Sequence, residues 1–209
     1  MKIIIIISLV LIIWAVSSWI AIKSIEEPKY KILSDEGIYE IRNYEPNILA
    51  ETKVSGSYKE ALNKGFSNIA DYIFGNNKTN EKISMTVPVA EEYNKGDSEK
   101  ISMTVPVINQ GNDQERIVSF VMPSKYTLST LPSPNTDLVT FREVTDRKVA
   151  VLKYGWYTNE TRIKEKAEIL LEELKKDGVE TIGEYSSARY NPPFSIPLLL
   201  RNEILIEIK

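Results

Sequence analysis

The pattern of apolar and polar positions divides the chain near residue 24. From Ile3 to Ile22 no residue is charged, and only Ser8, Ser17 and Ser18 are polar. As a helix this run spans about 30 Å at ~1.5 Å per residue, the thickness of a bilayer core. Trp14 and Trp19 suit an interfacial zone, and Lys23 closes the span. Residues 1–24 are therefore expected to form one N-terminal transmembrane helix that anchors a single-pass protein in a membrane through residues 3–22. The alternative is a cleaved signal peptide and a secreted product. In that reading Lys2 is the charged end, Ile3–Ile13 the apolar core and Ala15-Val16-Ser17 the cleavage site. The bulky run Trp19-Ile20-Ala21-Ile22 continues past that site and favours the anchor. Lys2 and Lys23 balance each other, which leaves the orientation open.

Beyond residue 24 the pattern repeats. Tyr39–Ala50 aligns with Val139–Ala150 at an offset of 100, Arg42 over Arg142 and Leu49-Ala50 over Val149-Ala150. Each block reads as two short strands around a polar turn, Asn43–Asn47 in one and Thr145–Lys148 in the other. A helix follows in both halves. The first is capped by Ser57, with Glu60 completing a capping box; its stripe is Leu62, Phe66, Ile69 and Ile73, and Gly75 ends it. The second is capped by Thr158; its stripe is Ile163, Ala167, Leu170 and Leu174, and Gly178 ends it. Both stripes step by four, three and four residues, which predicts a duplicated strand–strand–helix–strand unit.

A proline-containing segment comes next. Lys82–Val89 reads Lys-Ile-Ser-Met-Thr-Val-Pro-Val, and the same octapeptide returns at Lys100–Val107. The two copies are expected to be the strands of a hairpin. Residues 83, 85 and 87, and 101, 103 and 105, would share a face, and Pro88 and Pro106 would end or bend the strands. Ile117–Val121 reads as another strand, followed by the loop Pro123–Pro134. Tyr190-Asn-Pro-Pro-Phe194 and Ile204–Ile208 complete the second half. The expected architecture is α+β: a distorted antiparallel β-barrel of two pseudo-twofold strand–strand–helix–strand repeats, preceded by the transmembrane helix. One domain, residues 25–209, holds halves of about 25–110 and 111–209.

Composition then narrows the chemistry. The chain has no cysteine and no histidine, which excludes disulfides, Cys/His zinc sites, thiol nucleophiles, Ser-His-Asp triads and histidine-ligated haem. The net charge is −3, and without Lys2 and Lys23 it is −5. With no basic stripe, nucleic acid is not an expected partner. Gly75, Gly96 and Gly111 are isolated, so no phosphate cradle is implied. Glu91-Glu92 and Glu172-Glu173 are adjacent pairs whose members point different ways, and they read as solvated faces. Asn77-Lys78-Thr79 and Asn159-Glu160-Thr161 are glycosylation sequons. Met85 and Met103 occupy equivalent places in the twin octapeptides, as deformable core fillers and soft donors. Tyr154, Trp156 and Tyr157 cluster where the second half leaves its strands for its helix, and read as core or rim. Two half-sheets related by a pseudo-twofold leave a groove between them, where small-molecule sites usually form.

The repeated Lys-Ile-x-Met-Thr-x-Pro-Val resembles the signature of the SOUL haem-binding protein family. So do Tyr39-Glu-Ile-Arg-x-Tyr44, Tyr72-Ile-Phe-Gly-x-Asn77, Ser119-Phe-Val-Met-Pro123, Leu131-Pro-x-Pro134, Tyr190-Asn-Pro-Pro193 and Arg201-Asn-Glu-Ile204. The matches run in order from about Glu26 to the last residue. The resemblance implies a distorted barrel related to gyrase-inhibitor-like and multidrug-sensing domains. It implies a binding module, not an enzyme, for haem or another tetrapyrrole or flat apolar molecule held non-covalently. Without histidine, the macrocycle would lie against the first helix of the domain, at Asn63, Phe66, Ile69, Ala70 and Ile73. Lys59 and Lys64 would be candidates for its propionates. The remaining conceivable iron ligands would be Met85, Met103, a tyrosine or a lysine; no metal site is predicted. Two alternatives stand beside this reading: a groove-based hydrolase of small electrophilic compounds using a Glu and aromatics, and a protein-interaction module with no ligand. The sequence leaves the oligomeric state open.

Overall fold

The computed structural model describes residues 2–23, 25–79, 81–93, 115–192 and 195–209. Helix α1, Lys2–Lys23, is long and apolar enough to cross a membrane, and its described side chains are mostly exposed. Strands β1 (Tyr30–Asp35), β2 (Glu40–Tyr44) and β3 (Asn47–Val54) lead to α2 (Tyr58–Ile73) and then to β4 (Val89–Tyr93) and β5 (Arg116–Val121). Strands β6 (Thr140–Val144) and β7 (Arg147–Gly155) lead to α3 (Glu160–Lys176) and then to β8 (Thr181–Arg189), a 3-10 turn (Pro197–Leu199) and β9 (Arg201–Ile208).

All nine strands form one antiparallel sheet in the order β1-β2-β7-β9-β8-β4-β5-β3-β6. Without β1, exchanging β2 with β6, β3 with β7, β4 with β8 and β5 with β9 returns the same order reversed. The expected pseudo-twofold is therefore present, and its axis passes between β4 and β8. The α+β architecture is as expected, with the sheet curled into a half-barrel.

Each block has its two strands around the expected polar turn, but their partners lie in the other half. The consecutive strands β2 and β3 do not pair with each other, nor do β6 and β7. Strand β2 pairs with β7 of the other half, and β6 with β3. Each half thus lends its first strand to the other, across the short turn at Glu45-Pro46 or Thr145-Asp146. The first octapeptide is not a strand before its proline. Residues 81–85 have no regular structure, Thr86 makes an isolated bridge to Glu26, and β4 begins only after Pro88. Ile83 and Met85 pack into the core under α2, whereas Val87 packs with Ala188 and Tyr190. The second octapeptide, with Met103 and the expected hairpin, lies outside the described residues.

Both helices cover the same face of the sheet. The α2 core gathers Ile48, Ala50, Ile69, Tyr72, Ile73, Val118 and Phe120, and the α3 core gathers Ala150, Leu152, Ile163, Leu170, Leu174, Ile204 and Ile206. Helix α2 starts as its capping box requires: the Glu60 carboxylate accepts from the Ser57 N–H at 3.2 Å and from the Ser57 hydroxyl at 2.6 Å. Helix α3 is capped by Asn159, not Thr158. The Asn159 side-chain oxygen accepts from the Arg162 N–H at 2.9 Å, while the Thr158 hydroxyl is engaged by Tyr154. Both helices stop one residue before a glycine at positive φ, Gly75 (114°) and Gly178 (69°), after their caps Phe74 and Asp177.

The face that α2 buries is rotated from the predicted stripe. It presents Ala61, Gly65, Ile69, Ala70, Tyr72 and Ile73 to the sheet, and leaves Phe66 40% exposed. The cause is Gly65. A Cβ there would stand 2.5 Å from Val118 Cγ2, so the missing side chain lets the helix backbone settle directly on β5. In a free helix Gly→Ala gains about 1 kcal/mol. Here a clash with a fully buried branched side chain costs roughly 1–3 kcal/mol and decides the sign. Gly65→Ala is expected to lower the denaturation midpoint, and to cost much less in a Val118→Gly background, since an alanine at 118 would keep the Cβ that stands 2.6 Å away.

Candidate functional site

The face of the sheet away from the helices carries charge. Arg42 on β2 reaches over β7 to Glu203 on β9, with Nη1 donating to Oε2 at 3.0 Å and Nη2 to Oε1 at 3.1 Å, and both side chains are fully buried. Glu203 also accepts from Tyr190 Oη at 2.5 Å and from Arg201 Nε at 3.0 Å. Arg42 further donates to Glu40 and to the Tyr44 hydroxyl, each at 2.8 Å, and lies over the Tyr30 ring. Arg201 stacks on the Tyr190 ring and passes the network to Glu27 at 2.9 and 3.1 Å. Burial, and next the Glu203 carboxylate, push the Tyr190 hydroxyl well above its ordinary value; the same two causes bring Tyr44 to about 12. Both phenols are therefore neutral at physiological pH, and Tyr190 can serve as a donor to Glu203.

This lattice leaves little free space between the halves. The hollow bounded by Leu49, Ala90, Ser119, Ala188, Tyr190 and Leu205 has a volume of about 40 Å³, room for one or two waters and not for a macrocycle. A larger cleft of about 380 Å³ adjoins it and shares Pro28, Asn47 and Val121 with it. It runs under the linker that follows α1, against Ile48, Met122, Pro123 and Tyr126. Its ionisable lining is Glu26, Glu27, Glu45 and Glu143 against Lys29. Among the described residues the groove expected from symmetry is thus filled at its centre, and the larger cleft lies at one acidic end.

The residues expected to hold a ligand are spread over two layers of α2. Ile69, Ala70 and Ile73 are buried against the sheet. Asn63 and Phe66 are exposed, and the Phe66 ring rests 5.5 Å from that of the fully buried Phe120. Met85 is half-buried against the same core, as a filler. Lys59 precedes Asn63 by four residues and Phe66 by seven, so the three lie on one helical stripe. Both sequon asparagines have structural roles: Asn77 is buried and donates to the carbonyls of Tyr72 and Glu81, and Asn159 caps α3.

A further cluster sits on the helix side, beside the pseudo-twofold axis, and one of its members overturns an expectation. Glu91 on β4 is not solvated. It faces Ser187 of β8 in register, and its Oε1 accepts from the Ser187 hydroxyl at 2.7 Å, while Oε2 has no hydrogen bond among the described residues. Burial raises its pKa, opposed by the Ser187 hydroxyl and by the Arg189 and Arg116 charges. Tyr58, at the start of α2, accepts from Arg189 and lies beneath the Arg116 guanidinium. Arg116 also bonds Glu160 of α3 at 2.9 Å. Adjacent glutamates on a strand must face opposite ways, which the sequence shows; that the inward one meets a second strand from the other half depends on the β4–β8 pairing, which it does not show. Among the described residues no group of three or more acidic side chains is arranged to hold a metal ion.

Comparison with known proteins agrees with this architecture. The model of the SOUL heme-binding protein family matches residues 25–207. Heme-binding protein 2 of Homo sapiens is 28% identical over 188 residues, covering 87% of this chain and 85% of that protein. The C-terminal domain of EcmrR superposes with a TM-score of 0.57 at 10% identity, covering 86% of this chain and 98% of that one. A hydrolase from Listeria innocua superposes with a TM-score of 0.52 at 9% identity, covering 85% and 94%. The chain belongs to the SOUL heme-binding protein family, and the two structural neighbours share its fold.

Two outcomes follow from these sites. Glu203→Leu leaves Arg42 buried without its partner and is expected to cost about 3–5 kcal/mol in a denaturant titration. The double variant Arg42→Met/Glu203→Leu should cost less than that single change. For Glu91 the raised folded-state pKa means that the protonated form favours the fold. Its contribution is full below the unfolded carboxylate value and is lost as pH rises through the folded one. Glu91→Gln mimics the protonated form, so its thermal midpoint should gain on the parent's as pH is raised from 4 to 8.

Proposed function

We propose that this SOUL-family chain binds haem or another flat tetrapyrrole beside a membrane, holding it by apolar contact along α2 without histidine ligation. The observation that carries the reading is Phe66, a large aromatic side chain left 40% exposed on a helix whose neighbouring turns are buried, and braced from beneath by Phe120. Such a ring is a platform for a flat apolar face. Lys59 and Asn63 on the same stripe supply a cation and a donor for propionates, with Lys64 exposed alongside. Ile69, Ala70 and Ile73 form the buried layer that fixes the platform. The 380 Å³ cleft suits this ligand poorly, because its four glutamates face one lysine and would repel a dianion. The name of the human relative, Heme-binding protein 2, points the same way. Helix α1 is read as an uncleaved anchor, and residues 25–209 as the ligand-binding domain.

Without a strong iron ligand, affinity rests on buried apolar area, at roughly 25 cal/mol per Å² before association costs. A dissociation constant on the order of micromolar is expected, nearly indifferent to the metal. Titrating the full chain in detergent should give a saturable Soret shift, with metal-free protoporphyrin binding within about tenfold of haem. Phe66→Glu should weaken both pigments alike, and Met85→Leu should leave the haem spectrum unchanged. Binding of haem more than a hundredfold tighter than the free ring, with a low-spin spectrum, would overturn the non-ligated mode. Absence of any saturable shift would overturn pigment binding.

Glu91 favours a second reading, hydrolysis of a small electrophile, in keeping with the hydrolase among the structural neighbours. A buried carboxyl of raised pKa with one unengaged oxygen, beside two arginines and a tyrosine, has the make-up of an acid–base group. Ester turnover that Glu91→Gln abolishes, with no pigment binding, would establish it in place of the first.

A further inference from the structure

We infer that the end of the domain carrying Trp156, Tyr157 and the Pro197–Leu199 turn is a second membrane-contacting surface, seated in the lipid interface beside α1. The inference rests on the reading of α1 as a membrane span. It starts from one hydrogen bond, in which the Ile196 N–H donates to Ser18 Oγ of α1 at 3.3 Å and Ser18 is fully buried by the contact. Ser18 lies four residues before Ile22, where the apolar run ends, or about 6 Å along the helix axis. A bilayer that covers α1 as far as Ile22 therefore also reaches the level of Ile196.

What the domain presents at that level is suited to lipid. Leu198 is 82% exposed, more than any other large apolar side chain among the described residues, including Ile3 of α1 at 74%. In sequence, residues 190–200 carry no charge and are bounded by Arg189 and Arg201. The aromatic pair stands beside this turn. Gly155 is opposite Arg201 in the β7–β9 ladder, and Asn202 Nδ2 donates to the Trp156 carbonyl at 2.8 Å. Trp156 and Tyr157 are 51% and 58% exposed, with rings 6.0 Å apart and edge to face. Trp156 holds φ at +72°, a conformation that disfavours a bulky side chain, yet it packs its indole into no core of the domain. Tryptophan and tyrosine beside exposed leucines are the side chains that settle at a lipid–water interface. Their placement serves that contact and contributes little to the fold.

The absence of cysteine makes each introduced thiol a unique label site. The full chain, reconstituted in phosphatidylcholine vesicles, would carry the environment-sensitive fluorophore NBD at Leu198→Cys, Tyr157→Cys or, as a reference within α1, Ile12→Cys. Lipids brominated at shallow or deep acyl positions and aqueous iodide serve as quenchers. The expected result is quenching of the Ile12 site by the deep lipid, with the 198 and 157 sites blue-shifted, quenched by the shallow lipid and protected from iodide. Labels at 198 and 157 with water-like emission and full access to iodide, while the Ile12 site is buried, would overturn the second surface and leave the anchor standing. An Ile12 site open to iodide would overturn the anchor and this surface with it.

Discussion

The buried Arg42–Glu203 pair is the constraint on which the rest of the structure depends. Two charges removed from water cost several kcal/mol each unless every polar atom finds a partner. Here Glu203 accepts from both terminal nitrogens of Arg42, from Arg201 and from Tyr190. That requirement fixes topology. Arg42 belongs to the first repeat and Glu203 to the second, and they meet only because β2 is inserted beside β7, one strand away from β9. The strand exchange and the ion pair therefore support each other. Arg201 extends the network to Glu27 and so ties the linker after α1 to the first residue of β9, which follows the exposed turn. Linker and turn are tied together by one chain of charges.

The twofold symmetry of the backbone is not shared by its charges, and the difference locates the open space. Lys153 of β7 is opposite Glu203, and its symmetry mate Lys53 of β3 is opposite Ile117. The second half thus supplies a carboxylate where the first supplies an isoleucine. Arg142, the mate of Arg42, turns to Glu51 on the adjacent strand at 2.6 Å and remains half-exposed. The half with Glu203 has its face away from the helices closed by a salt-bridge lattice. The half with Ile117 has the half-exposed Arg142 between Glu51 and, at 3.8 Å, Glu92 in place of a buried network, and the 380 Å³ cleft opens on its rim, along β3, β5 and β6. An acidic hollow at that edge is a consequence of a duplication whose copies no longer match in charge.

Much of this was legible in the sequence. The offset of 100 places β2 over β6 and β3 over β7, and the four-three-four spacing finds both helices, because amphipathic periodicity survives divergence. The partners of the strands were not legible. Alternation says which residues share a face, and nothing in it separates a hairpin from two strands sent to opposite halves. Strand β1 escapes the pattern because its exposed Ile32 and Leu33 break alternation, and β8 does so because Gly183 to Ser187 has almost no apolar residue to mark it. Leu62, Ile69 and Ile73 of the expected α2 stripe meet the core and Phe66 does not, because large apolar side chains mark a stripe more strongly than Gly65, whose value lies in having no side chain. Glu91 was read as solvated for a related reason: its burial depends on Ser187, 96 residues away.

The surfaces that remain differ in sign, and this separates their uses. The cleft carries four glutamates and one lysine, the α2 flank carries Lys59 and Lys64 around Phe66, and the far turn carries no charge between Arg189 and Arg201. On the proposed function an anionic macrocycle would be repelled by the first and accommodated by the second. The third favours lipid. A site without an iron ligand is weak in bulk water, since apolar burial must offset the cost of association by itself. That cost changes when ligand and protein share a surface. A flat apolar pigment partitions into lipid, and on the proposed reading of α1 as an anchor the domain would meet it there at an effective concentration far above its concentration in solution. In that reading anchoring would compensate for the missing histidine: the membrane would supply through confinement the free energy that iron coordination supplies elsewhere.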